Sequence, residues 1–197
     1  MAEPGEVRTE EVEEEEEQLD VEAQARRRLA LAQIRQYPDP VLRMPAREVE
    51  AFDQDLASLV ERMTGLLRDA GGLGLAATQV GILRRVFVFQ REEEEEIVAL
   101  VNPSLVERSD ETEVDTEGCL SMQGVTVPVE RATHVTVQGR TSDGEELQFE
   151  LDELEARVVQ HELDHLDGVL ILDRTTDESR RDALAILRPK PALDVLG

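Results

Sequence analysis

Aromatic residues make up only 3% of this 197-residue sequence, with no tryptophan, one tyrosine and four phenylalanines. The core must therefore be built from leucine, valine, isoleucine and alanine, and an apolar content of 40% supplies enough of them. Cysteine is rarer still, with Cys119 alone. An internal disulfide is excluded, which agrees with a reducing compartment. No apolar run is long enough for a membrane-spanning helix, so no membrane partner is expected. The N-terminus lacks the basic and apolar regions of a signal peptide and is too acidic for an organelle transit peptide. A cytoplasmic protein is the expectation. Positive charge is also scarce. Lysine and arginine number 21 against 45 Asp and Glu, a net of −24, and Lys190 is the only lysine. Direct nucleic-acid binding is not expected from such a chain.

The negative charge is unevenly placed. Residues 1–22 hold eleven Asp or Glu against Arg8 alone, and Glu92–Glu96 adds five more in a row. Runs of this kind are commonly solvated. Residues 1–25 are read as an acidic disordered extension, 26–188 as one catalytic domain and 189–197 as a C-terminal tail. The length suits a single domain with a real core.

Along the domain, the turn-rich 36–40 segment opens the fold. Asp53 can cap a helix with Leu56, Leu59, Val60, Met63, Leu66 and Leu67 on its inner side, ending at Gly71-Gly72. Strands are expected at 85–90, 97–101, 125–129, 133–140 and 148–151. Asn102-Pro103 should break the second, and Asp143-Gly144 should turn into the last. Residues 169–172 read as a short strand and 178–187 as a final helix, stopped by Pro189 and Pro191. Strands cluster between two main helices without β-α alternation. The fold class expected is α+β, with antiparallel or mixed sheets wrapped around a central helix and flanked by N- and C-terminal helices.

That central helix is 151–168. Asp152 and Glu155 form a capping-box-like start, and Gly168 stands where a left-handed cap would sit. Leu154, Val158, His161 and His165 share one stripe; Ala156, Val159, Leu163 and Leu166 share another. Glu153, Arg157, Gln160, Asp164 and Asp167 occupy the remaining side. A helix apolar over most of its circumference is wrapped by other elements. Within it lies His161-Glu162-Leu163-Asp164-His165. Histidines four apart on a helix lie one turn above each other, so both rings can reach one metal ion. Glu162 is placed to act on a water beside that ion.

Hydrolytic metal sites commonly take three protein ligands and keep one position open. Cys119, His134 and many carboxylates could supply the third. Cys119 is preferred: a thiolate is a strong soft ligand, and Gly118 beside it lets the backbone come close. His134 falls in an alternating strand pattern and is read as structural or exposed. At this point the H-E-x-x-H run serves a metalloprotease as well as other hydrolases, and a cysteine nucleophile with a histidine base remains a second alternative.

Three segments stand in order: Gly72-Leu73-Gly74-Leu75-Ala76-Ala77-Thr78-Gln79, Glu117-Gly118-Cys119-Leu120-Ser121 and Gln160-His161-Glu162-Leu163-Asp164-His165. Together they resemble the peptide deformylase family, whose pattern is G-x-G-x-A-A-x-Q, E-G-C-x-S and Q-H-E-x-D-H. The resemblance covers roughly residues 34–175 and includes 39–43 and Asn102-Pro103. The acidic extension, the glutamate run and Gln123-Gly124, where many members have Pro-Gly, depart from it. The resemblance implies a divalent metal on Cys119, His161 and His165, natively Fe2+, with Zn2+, Ni2+ or Co2+ able to substitute. It implies Glu162 as general base and then acid, with Gln79 and the Leu120 backbone N–H as donors to the oxyanion. Leu73, Gly74 and Gly118 would hold the peptide backbone. Leu73 and Val158 would line a pocket for the methionine side chain. The substrate implied is the N-formyl group of formylmethionine on nascent polypeptides, which makes the ribosome near its exit site a candidate partner.

Overall fold

The computed structural model describes residues 10–91 and 96–188. The glutamate run at 92–95, the first nine residues and the 189–197 tail lie outside them. Among the described residues five α-helices are formed: α1 (Glu10–Leu31), α2 (Gln54–Ala70), α3 (Glu153–Leu166), α4 (Ile171–Arg174) and α5 (Asp177–Leu187). Seven strands accompany them: β1 (Gly74–Ala76), β2 (Val86–Gln90), β3 (Ile97–Arg108), β4 (Thr112–Gly118), β5 (Thr126–Ala132), β6 (His134–Arg140) and β7 (Glu146–Asp152). One antiparallel sheet has the order β1-β2-β3-β6-β7, and β4 pairs with β5 in a separate ribbon. The α+β expectation holds, with α3 as the central helix.

Successive side chains of β2 point to opposite faces of the sheet, and both faces are covered. Val86 and Val88 join Leu56, Met63 and Leu67 of α2 in one core. Phe87 and Phe89 point the other way and meet Val159, Leu163 and Leu166 of α3. All four β2 residues are fully buried, each stabilising the fold by about 1.5–3 kcal/mol. A third core under the ribbon joins Val127 and Val129 to Leu170, Ile171 and Leu172.

The helix termini follow local chemistry. The Asp53 carboxylate accepts from the Leu56 N–H at 3.0 Å, and α2 closes on Gly71 with φ 65°. Gly168 has φ 74°, and a Cβ there would lie 2.6 Å from the Arg43 carbonyl oxygen, so only glycine lets this chain segment pass.

Several expectations are corrected. Asp152 sits at the N-cap of α3 but makes no capping bond there. Its carboxylate takes the His134 Nδ1 at 2.6 Å instead, and Glu155 accepts from Arg91 at 3.1 Å. Asn102-Pro103 does not end β3. Asn102 adopts φ 52°, the register to β6 shifts after Val101, and the Asn102 amide exchanges two hydrogen bonds with the Val49 backbone. Residues 169–172 are not a strand: Leu170 is buried at the cap of the helical turn α4, and its N–H donates to Asp173. Strand β4 was not anticipated, because its one large apolar residue, Val114, faces solvent. The helix α1 begins inside the acidic stretch, so residue 25 falls within a helix whose end packs through Ala30 on the α2 core.

Candidate metal centre

The histidine pair lies where its spacing places it, on one face of α3, with ring centroids 4.9 Å apart. Cys119 follows directly on the end of β4, and its Sγ is 3.2 Å from the His165 Nε2. The candidate ligand atoms of Cys119, His161 and His165 all lie within 4.8 Å of one another. Metal–ligand bonds of about 2.0–2.3 Å at tetrahedral angles hold such atoms roughly 3.3–3.5 Å apart, so side-chain shifts of about 1 Å would bring all three onto one ion. One thiolate with two imidazoles is a donor set for a first-row divalent metal. His134 is remote in role: it is half-exposed and paired with Asp152.

The charge around the pair explains its orientation. Glu117 accepts from Arg131 through two nitrogens at 2.9 and 3.0 Å and from Arg157 at 2.9 Å. Burial raises its pKa, but these bonds and the bond from His161 outweigh burial and hold the carboxyl at about 2. It is therefore an acceptor only, and the His161 Nδ1 donates to it at 2.9 Å. Burial lowers the His161 pKa, but its hydrogen bonds to Cys119 and Glu117 outweigh burial and raise it well above the ordinary histidine value; a metal would displace the Nε2 proton and take that lone pair. Burial and the neighbouring His161 push His165 well below its ordinary pKa, which favours the neutral, ligating imidazole.

The middle of the side of α3 that looked polar in sequence, Arg157, Gln160 and Asp164, is buried against this network. Arg131 also donates to Asp164 at 2.5 Å, and Arg174 grips the same carboxylate at 2.6 and 3.0 Å. Gln160 staples the helix to β5, accepting from the Ala132 N–H at 3.2 Å and donating to the Ala132 carbonyl at 2.9 Å. The sequence reading missed Arg131, Arg157, Arg174 and the role of Asp164.

Glu162 is buried one residue past His161, and burial pushes its carboxyl up to about 7. It packs on the Gly74 backbone, where an added Cβ would stand 2.4 Å from its Oε1. Its Oε2 is buried and has no hydrogen-bond partner, an arrangement that asks for a water or substrate group. Gln79 is oriented without ambiguity. The Ala76 N–H can only donate, so the Gln79 Oε1 must accept from it at 2.8 Å. The Nε2 then faces Ser121 at 3.1 Å and the Cys119 sulfur at 3.6 Å. The Leu120 carbonyl is held by Gln36 at 3.0 Å, and its N–H donates to no described residue.

Gln79, Glu117, Cys119, Leu120, His161 and Glu162 line one cleft of about 530 Å³. Leu73, Gly74, Gly118, Val158 and Glu162 all border it. Leu73 is 46% exposed at its edge, whereas Val158 is buried in its wall. An added Cβ at Gly118 would meet Thr126 at 3.6 Å and the Val125 carbonyl oxygen at 3.8 Å, both ordinary contacts, so packing within the chain does not require that glycine. Leu154, Val125 and Met122 add apolar surface, and Arg27 of α1 forms part of the rim. None of these four was foreseen in the cleft, and only Leu154, on the His161 stripe, carried a signal.

Comparison with known proteins bears on the whole unit. A family model described as polypeptide deformylase matches residues 31–181. A peptide deformylase of Clostridium botulinum is 45% identical over 148 residues, 75% of this chain and 99% of the relative. Peptide deformylase 1 of Corynebacterium glutamicum is 41% identical over 162 residues, 81% of this chain and 96% of the relative. Among solved structures, a peptide deformylase from Legionella pneumophila matches with a TM-score of 0.75 at 35% identity, covering 78% of this chain and 91% of the other. The Thermotoga maritima peptide deformylase matches at 0.69 with 45% identity, covering 73% and 96%.

Proposed function

Because this chain belongs to the polypeptide deformylase family and is a metal-binding peptide deformylase with a Cys119–His161–His165 site, we propose how its residues divide the work on a formylated nascent peptide. When bound, a divalent ion acidifies a coordinated water and polarises the carbonyl under attack. Glu162 takes the water's proton and passes it to the leaving amine, as general base and then acid. The buried, unpartnered Glu162 Oε2 in the same cleft as Cys119 and His161 is the observation that carries this assignment.

Negative charge grows on the formyl oxygen as its carbon becomes tetrahedral. The Gln79 Nε2 and the Leu120 N–H donate to that oxygen. The fixed orientation of the Gln79 amide and the uncommitted Leu120 N–H support these roles. The backbones of Leu73, Gly74 and Gly118 hold the peptide main chain. The unobstructed backbone at Gly118, with no side chain of its own, and the exposed rim at Leu73 suit an extended chain lying between β1 and the 118–120 segment. Val158 and Leu73 flank the methionine side chain, with Leu154 and Val125 as further apolar wall.

Residues 26–188 form the catalytic unit in this reading, which the match over 31–181 supports. Fe2+ is the ion proposed, with Zn2+, Ni2+ or Co2+ able to use the same sulfur and nitrogen donors. The substrate's origin on the ribosome places the reaction at emerging chains in the cytoplasm.

The test is formate release from formyl-Met-Ala-Ser by protein purified anaerobically, assayed with ferrous iron before and after chelation. Release should be fast and abolished by the chelator. Glu162→Gln should keep its metal, measured by elemental analysis, and lose at least about 100-fold in kcat. A Glu162→Gln protein turning over within a fewfold of the parent would remove Glu162 from the chemistry.

A further inference from the structure

Among the described residues lining the cleft, one cation keeps donors without an acceptor. Arg157 is committed to Glu117 and to the carbonyls of Val129 and Glu113. His161 is committed to Glu117. Arg27 uses only its Nε, which donates to the Ala70 carbonyl at 3.0 Å. That bond fixes the guanidinium at the rim, and its two terminal nitrogens meet no acceptor among the described residues. The surrounding helix explains why. Arg26 pairs with Glu22 at 3.7 Å, whereas the positions three and four before Arg27 are Gln24 and Ala23, and neither is acidic. Arg27 also lies outside the family match, which starts at residue 31.

Its distance from the reaction follows from the chain between. Gly74 touches Glu162, and Arg27 holds Ala70 four residues earlier. Four residues span at most about 14 Å, at 3.3–3.6 Å each. The wall 71–74 borders the cleft and leads from Glu162 to Arg27. An extended substrate advancing at a similar rise brings its third or fourth residue to the guanidinium. We propose that Arg27 is a specificity-determining residue that favours peptides with Asp or Glu at their third and fourth positions. This rests on reading the cleft as the seat of the formylated peptide.

The experiment uses the full chain and three formylated peptides, formyl-Met-Ala-Xaa-Xaa-Ser amide, where Xaa is Asp, Asn or Lys. The amide removes the terminal carboxylate, which Arg27 would otherwise also recognise. Both kcat/KM and the affinity of the deformylated products are measured. The quantity of interest is the Asp-to-Lys ratio, because the overall negative field acts on every variant alike. Relative to the parent, the ratio should fall about fivefold in Arg27→Ala and about a further fivefold in Arg27→Glu. The change should reside in KM and shrink in 0.5 M salt. Ratios that move less than about 1.5-fold in both variants overturn the proposal. Failure to release formate from the Asn peptide would count against the deformylase reading instead, and the product affinities would still decide the role of Arg27.

Discussion

Replacing Gly74 by alanine adds one methyl group at the point where β1 meets the proposed general base. Built on the existing backbone, that methyl carbon lies 2.4 Å from Glu162 Oε1, 2.8 Å from its Cδ and 2.9 Å from its Cγ. Ordinary contact needs about 3.4 Å or more, so the carboxylate must retreat by roughly 1 Å. It cannot do so freely, because Glu162 is buried and 3% exposed. The backbone at position 74 is not in the left-handed region, so the alanine brings no conformational strain of its own. The perturbation is therefore a displacement of one side chain. A misplacement of about 1 Å at a reacting group costs on the order of 100-fold in rate. We expect Gly74→Ala to lose about 100-fold in kcat for formate release while keeping its metal content and its far-ultraviolet circular dichroism. A variant within about threefold of the parent kcat would refute the reasoning: either Glu162 adapts without cost, or its position does not govern the rate.

Two further outcomes follow from the same geometry. Glu117→Gln removes the charge that Arg131, Arg157 and His161 share; it should cost about 3 kcal/mol of unfolding free energy in urea and lower metal affinity about 10- to 100-fold in chelator competition, and unchanged values of both would show that the network neither stabilises nor orients the centre. Gly118→Ala has room within the chain, with Thr126 at 3.6 Å from the added carbon; it should leave the urea midpoint unchanged yet raise KM for formylated peptides several-fold, and an unaltered KM would detach Gly118 from the substrate backbone.

What could be read in advance was local. The two histidines are set by helical spacing, so their shared face is visible in the five residues 161–165. Cys119 was recoverable because it is the only thiol in the chain. The α2 cap at Asp53 and the two-faced strand β2 likewise depend on neighbours within a few positions. Errors arise where distant partners decide. Asp152 has the composition of a cap, but β6 brings His134 opposite it in register, and the carboxylate goes there. Residues 169–172 have an apolar run short enough for a strand, yet the buried face is supplied by the ribbon and α5, and a helical turn fits that space.

The largest miss is the charged side of α3, and it concerns function most directly. Arg157, Gln160 and Asp164 fall on the helix face that helical spacing assigns to water, but they are buried, because the end of β4 and β5 bring Glu117 and Arg131 against them. Nothing in the sequence ties Glu117 to Arg131 14 residues later, or Arg131 to Asp164 33 residues later. Such a cluster is no cheap way to fill a core, since well-packed apolar residues of similar volume are commonly as stabilising as buried ion pairs. What an apolar core cannot do is hold an ionised carboxylate 2.9 Å from the His161 Nδ1 and so direct the opposite nitrogen at the metal. The network is best understood as part of the metal centre. On this account the ligands are legible because each is identified by its own chemistry. Their supporting shell is not, because it exists only where two strands and a helix meet.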